Sequence, residues 1–215
     1  MNENLIEAQY DVTKKSRIKK FYDKNKFIII TFVLILFISS ISGVFYFESK
    51  EKKKIILSEN YIEARIYLAN EDKNNAKKVL KKIILADDST YSVLALFLIL
   101  NQNLIEDKEE LSNLFDHVIQ NNKFKKEIKN LLIFKKALFQ SDFMHESELL
   151  QVVKPLINKE SLWKPHVLLM LGDYFIFKNE YFKAKEFYVE ILSLKNLHKE
   201  FYDHAKTQLM LIGNE

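Results

Sequence analysis

The sequence predicts an all-α protein: one N-terminal membrane-spanning helix, then a domain of short helical hairpins. Three observations carry this. Gly (3) and Pro (2) are very scarce in 215 residues, which leaves few places for tight turns or left-handed backbone. Residues 27–47 form one uncharged apolar run. Downstream of it, apolar residues recur at helical spacing almost throughout, strand-like alternation never persists, and hairpin dipeptides such as Asn-Gly or Asp-Gly are missing.

The apolar run, FIIITFVLILFISSISGVFYF, has 21 residues. At about 1.5 Å per residue it reaches roughly 30 Å, the thickness of a bilayer's hydrocarbon core. Phe45, Tyr46 and Phe47 stand where an interfacial aromatic belt belongs. A core helix would keep a polar face, and this run has none. A cleaved signal peptide has a shorter apolar run and a briefer charged start. The reading is therefore an uncleaved span, with a basic tail at 1–26 before it and a helical domain at 48–215 after it.

Charge gives the expected orientation. The twenty residues before the span carry seven cations, Lys14, Lys15, Arg17, Lys19, Lys20, Lys24 and Lys26; the twenty after it carry five, Lys50, Lys52, Lys53, Lys54 and Arg65. That bias favours a cytoplasmic N-terminus and a C-terminal domain outside. The EKKK run at 51–54 reads as lysines snorkelling just beyond the bilayer.

Composition excludes several classes. There is no cysteine, so zinc fingers, iron–sulfur clusters, thiol catalysis and disulfides are ruled out while the redox compartment stays open. At 48% hydrophobic residues the chain can build a core. Of the net +4, the tail holds seven Lys/Arg against four Asp/Glu, and residues 48–215 hold 26 against 25. The domain is thus almost neutral with dense mixed charge, a solvated helical surface and not a nucleic-acid footprint.

Helices are expected at 52–70, with apolar positions Ile55, Ile56, Tyr61, Ile62, Ile66 and Tyr67, and at 75–86, with Ala76, Val79, Leu80, Ile83 and Ile84. DDST at 87–90 reads as a stop followed by an N-cap. YSVLALFLILNQN at 91–103, apolar nearly all round, reads as a central buried helix. Further helices are expected near 107–121, 124–140 and 146–158, with Pro155 kinking or ending the last. Pro165 suits a first helical turn, and a final helix at 198–212 has Gly213 at its C′ position.

The stretch LGDYFIFKNEYFKAKEFY at 171–188 carries the most specific signal. Leu168 takes a large position; Leu171, Gly172 and Phe175 match L-G-x2-[YF]; Ala184 follows Gly172 by twelve residues and Tyr188 follows Ala184 by four. This is the spacing of a tetratricopeptide repeat (TPR), a helix–turn–helix whose small residues stand where the two helices cross. Ala64, Tyr67, Ala76 and Leu80 repeat it upstream, and no clean copy falls between about 100 and 160. The expected fold is a TPR-like α-solenoid, with a generic α-hairpin domain as the alternative.

The layout also resembles bacterial inner-membrane proteins with a short cytoplasmic tail, one span and a periplasmic TPR-like domain, typified by the ancillary subunit of the SecYEG translocon. The resemblance rests on KKFYDKNK (19–26), the span, NYIEARIYLANEDKNNAKKVL (60–80), LLIFKKALFQ (131–140) and WKPHVLLMLGDYFIFKNEYFKAKEFY (163–188). The chain departs from that pattern in its Lys, Asn and Phe content, and in Ile83 and Ile191 where a small residue is usual. The resemblance implies an inner-membrane location, a periplasmic domain, and a role beside the translocon with periplasmic chaperones.

No catalytic chemistry is legible. Among His117, His145, His166, His198 and His204 there is no H-E-x-x-H, and all five read as surface or capping residues. G-x-S-x-G, P-loop and dinucleotide fingerprints are missing. No catalytic residue, metal or cofactor is expected. Binding is the better reading, because TPR arrays line a concave face with the first helix of each repeat. By that register Tyr61, Arg65 and Leu68 line it in the first copy, and Leu169, Asp173, Ile176 and Phe177 in the last; the alternative is that the apolar members are core. The expected function is a membrane-anchored scaffold for protein export or folding. A structural adaptor in envelope assembly or cell division is the alternative, and a binder of lipid or a small molecule in an interior pocket a third.

Overall fold

A computed structural model describes residues 3–213, with side chains from residue 19 onward apart from that of residue 44. The side chains of Lys14, Lys15 and Arg17, part of the charge bias above, lie outside those described. Among the described residues every element is an α-helix: α1 (Glu3–Ala69), α2 (Lys73–Ile84), α3 (Tyr91–Asn101), α4 (Lys108–Asn121), α5 (Lys126–Gln140), α6 (Glu146–Ile157), α7 (Lys164–Phe177), α8 (Tyr181–Ser193) and α9 (Lys199–Ile212). The chain divides into two units, residues 1–56 and 57–215.

The first unit is helix throughout its described residues, and α1 is long and apolar enough to cross a membrane, with a mean hydropathy of 2.7 over its most apolar stretch. Phe27, Phe32, Leu34, Phe37 and Phe45 are all exposed, so this stretch has no protein core of its own. Two of its hydroxyls bond within the helix: Thr31 Oγ1 donates to Phe27 O at 2.8 Å and Ser40 Oγ to Leu36 O at 2.9 Å. Such back-bonding spares these two donors an unmet bond in an apolar medium.

In the second unit each helix from α2 to α8 packs on its successor, and α7 touches both α5 and α9. The core forms two clusters. One joins Leu57 and Ala64 of α1 to Ala76, Leu80, Ile83, Ile84, Leu96, Phe115 and Leu132. The other gathers Ala137, Leu149, Leu156, Leu168, Leu171, Phe175, Ala184, Tyr188, Ile191 and Ala205. Ile83 and Ile191 are both fully buried.

Two expectations about faces are corrected. In α1 the isoleucines Ile55, Ile56, Ile62 and Ile66 stand exposed, and the buried side is Leu57 and Ala64 with Tyr61, Tyr67 and Leu68 packed around them. The α3 helix is not buried all round: Ser92, Ala95, Leu96 and Ile99 are buried while Leu94 is exposed. Ser92 is tolerated there because its hydroxyl donates to Ile83 O or Ile84 O, at 3.1 and 3.0 Å.

Helix ends show how a chain with so little glycine turns. Left-handed backbone occurs at Glu71 (φ 61), Asn103 (φ 49) and Asn179 (φ 58), and also at Asp87 and Asn196. The first three close Schellman caps: Asp72 N donates to Tyr67 O at 2.9 Å, Leu104 N to Ile99 O at 3.1 Å and Glu180 N to Phe175 O at 2.8 Å. Gly residues being scarce, side-chain-bearing residues take the φ > 0 positions, contrary to the expectation that few would exist. Gly213, expected at a left-handed C′ site, is a right-handed C-cap with φ −73. Pro155 lies on the exposed side of α6, which ends at Ile157, and Pro165 sits in the first turn of α7.

The hairpins α1–α2 and α7–α8 repeat one another at a constant numerical offset. Ala64 corresponds to Gly172, Glu71 to Asn179, Ala76 to Ala184, Leu80 to Tyr188 and Ile83 to Ile191. In the later copy the crossing is very close: a Cβ on Gly172 would lie 2.5 Å from Tyr188 Cε1 and 2.7 Å from Cζ.

This makes the sign of one substitution unusual. A helical Gly→Ala change ordinarily stabilises by about 0.5–1 kcal/mol. Gly172→Ala is expected to destabilise the domain by about 1–3 kcal/mol, because the Tyr188 ring is fully buried and cannot step aside. Thermal unfolding followed by circular dichroism reads this directly, and a Tm equal to or above the wild type would refute the packing argument.

Candidate functional site

The residues expected to line a binding face separate into two kinds. Tyr61 and Leu68 are half-buried against the first core cluster, and Leu169 and Ile176 against the second. Their apolar area therefore serves packing. Arg65, Asp173 and Phe177 are exposed, Phe177 at 83%. Arg65 and Asp173 occupy corresponding positions in the two hairpins, each one residue after the small residue of the crossing. Phe177 closes α7, and Phe182, in the first turn of α8, is also highly exposed, at 77%.

Asp173 has partners within the domain. Tyr188 on α8 donates its hydroxyl to Asp173 Oδ1 at 2.7 Å, and His204 Nε2 on α9 lies 3.3 Å from the same oxygen. One carboxylate so joins three helices. Burial, and then the Asp173 bond, push the Tyr188 phenol well above the usual tyrosine range. The hydroxyl stays protonated and acts as a fixed donor, so this trio holds no activated nucleophile.

The histidines divide similarly. His145 and His198 cap α6 and α9, accepting from Ser147 N and Glu200 N. His117 Nε2 pairs with Asp87 Oδ1 at 2.8 Å. His166 departs from the surface-or-cap expectation. Its ring packs among Trp163, Phe134 and Phe201, with centroids 4.9, 5.7 and 4.7 Å away. Its Nδ1 is buried without a hydrogen-bond partner. The spacing Trp163–His166, one helical turn, is the sequence signal for this contact. Trp163 anchors the cluster by donating Nε1–H to Glu127 O at 3.0 Å.

Among the described residues no group of His, Asp and Glu could hold a metal ion. Two clefts are open to solvent and lined by both signs of charge: one by Lys81, Asp107, Glu109, Glu110 and His117, another by Glu146, Lys178 and Glu180. A few surface lysines are committed to ion pairs. Lys136 meets Asp116 at 2.7 Å, Lys164 meets Glu190 at 2.9 Å, and Lys183 meets Glu146 at 2.8 Å and Glu180 at 2.6 Å. The two carboxylates beside Lys183 hold its ammonium above the usual lysine range.

The half-buried His166 sets a pH dependence. Burial pushes its imidazole below the usual value of 6.5, partly offset by the Leu162 backbone and the charge of Glu200. The unfolded chain then binds a proton that the folded one resists, so this contribution to stability is present above about pH 6.5 and is lost as pH falls below it. His166→Phe keeps the aromatic packing and removes the proton site. The difference in Tm between variant and wild type is expected to grow in the variant's favour from pH 7.5 to pH 5.5; a constant difference would refute the assignment.

No family model matches this chain, and neither a curated protein nor a solved structure does.

Proposed function

We propose that the chain is a single-pass membrane protein whose helical domain is a TPR-like scaffold for protein partners, with no catalysis of its own. Its N-terminus lies in the cytoplasm and its domain in the periplasm, where it acts beside the Sec translocon and periplasmic chaperones. The observation that supports this most is the recurrence of one hairpin, with the same small crossing residues and the same left-handed turn, in a chain led by an apolar helix. A repeated hairpin presents equivalent positions along one surface, and such arrays serve recognition. Arg65 and Asp173 are the equivalent exposed charges; since Asp173 is also bonded to Tyr188, Arg65 is the cleaner probe of binding.

The partner test is crosslinking in intact membranes, capture of the full chain, and identification by mass spectrometry. Translocon subunits together with a periplasmic folding factor are expected, with recovery reduced by Arg65→Glu at unchanged helicity. Envelope-assembly or division proteins without the translocon would replace this reading by the adaptor reading.

Orientation is tested separately. Protease added to spheroplasts is expected to digest residues 57–215 while sparing the tail. Survival of the domain until the inner membrane is opened would place it on the cytoplasmic side.

A further inference from the structure

One cleft differs from the others in its charge. It measures about 480 Å³ and is lined by Ser89, Thr90, Val93, Leu94, Lys123, Phe124, Lys125 and Ile128. Val93 and Phe124 are half-buried against the core and form an apolar base. Leu94 and Ile128 stand exposed beside them, at 41% and 43%. The charged lining is Lys123 and Lys125 alone, with no carboxylate. Among the described residues neither ammonium has an ion pair or hydrogen bond, unlike Lys136, Lys164 and Lys183. The nearest acids in sequence are engaged elsewhere: Asp88 Oδ1 accepts from Thr90 N and Tyr91 N, both at 2.9 Å, and Glu127 Oε2 from Ser161 Oγ at 3.3 Å.

One helix end at this cleft leans the same way. The α5 helix starts here with Lys125 as its N-cap and no side-chain acceptor for its first N–H groups. Cations at the positive end of a helix dipole are unfavourable in the isolated domain. Thr90, at the N-cap of α3, makes no side-chain cap bond; the Asp88 carboxylate takes the Thr90 and Tyr91 N–H groups there, so the unmet helix end at this cleft is that of α5. An anion would relieve this arrangement, and the apolar base asks for hydrocarbon beside the anion.

We propose that this cleft takes an acidic, apolar peptide segment of a partner protein, its aliphatic or aromatic side chains on Val93, Leu94, Phe124 and Ile128 and its carboxylates on Lys123 and Lys125. Concavity favours a peptide over a bilayer surface, since side chains of a peptide can enter a cleft of this size while headgroups would meet only its rim. The proposal rests on the scaffold reading and deepens it. The two fail separately, because membrane crosslinking can succeed through any face of the domain.

The test uses the full chain in detergent micelles and a fluorescein-labelled peptide of alternating Glu, Leu and Phe, read by fluorescence anisotropy. Saturable binding is expected, weakened by added salt. The double variant Lys123→Glu/Lys125→Glu is expected to weaken it about tenfold or more, and Leu94→Asp or Ile128→Asp to weaken it comparably; all four side chains are exposed, so each variant folds. Equal binding of the peptide with Gln in place of Glu would overturn the proposal, as would wild-type affinity in the lysine variant. Absence of peptide binding would overturn it too. So would a result in which the lysine variant lost only its attachment to phosphatidylserine vesicles, since the patch would then be a membrane contact.

Discussion

The Tyr188 side chain is the point on which the last three helices depend. Its ring takes the space that Gly172 leaves open, and its hydroxyl ends on Asp173 at 2.7 Å. The first contact requires a residue with no Cβ on α7. The second satisfies the one polar atom of a fully buried aromatic. Because His204 reaches the same carboxylate, α9 is tied to the α7–α8 crossing without a large apolar face of its own; Ala205 is its one fully buried residue. A larger residue at 172 would therefore disturb more than one pair of helices.

The rest of the second unit follows from the same economy. With little glycine available, turns use Asn, Asp and Glu in left-handed backbone, and the Schellman bonds at Glu71, Asn103 and Asn179 hold them there. Between helices, ion pairs join elements that are not adjacent in sequence, such as α2 to α4 through Lys81 and Glu110, and α8 to α6 through Lys183 and Glu146. Pairs this exposed add little individually. Among the described residues of the second unit, Lys81, Lys136, Lys164 and Lys183 are held in place this way.

Much of the helical layout was legible in the sequence because it is local. Capping residues and spacing placed α2 through α6 and α9 to within a few residues, and the twelve-residue separation of Gly172 and Ala184 marked a crossing that the buried Tyr188 fills. What spacing could not decide was which of two apolar stripes turns inward. In the last turns of α1 both Ile55, Ile62, Ile66 and Leu57, Ala64, Leu68 recur at helical period, and the choice depends on how closely α2 can approach. The binding face was only half legible for the same reason: Tyr61, Leu68, Leu169 and Ile176 share a register with Arg65 and Asp173, yet they pack on the core. His204 and His166 found partners on other helices, and no single-helix pattern records such contacts.

A distinction between structural and available charge therefore carries more information here than charge counting. The second unit is close to neutral in sequence, and a nearly neutral surface predicts no particular partner. Once the pairs are resolved, the surface is not uniform. Lys136, Lys164 and Lys183 have carboxylates within 3 Å and are compensated in place. Lys123 and Lys125 flank an apolar cleft at the start of α5, and no carboxylate lines that cleft. The acid in the first turn of α5, Glu127, accepts from Ser161 Oγ and does not pair with either lysine. A cleft whose charged lining is all of one sign is one that an anionic ligand can neutralise, and that argument holds independently of which protein supplies the acidic segment.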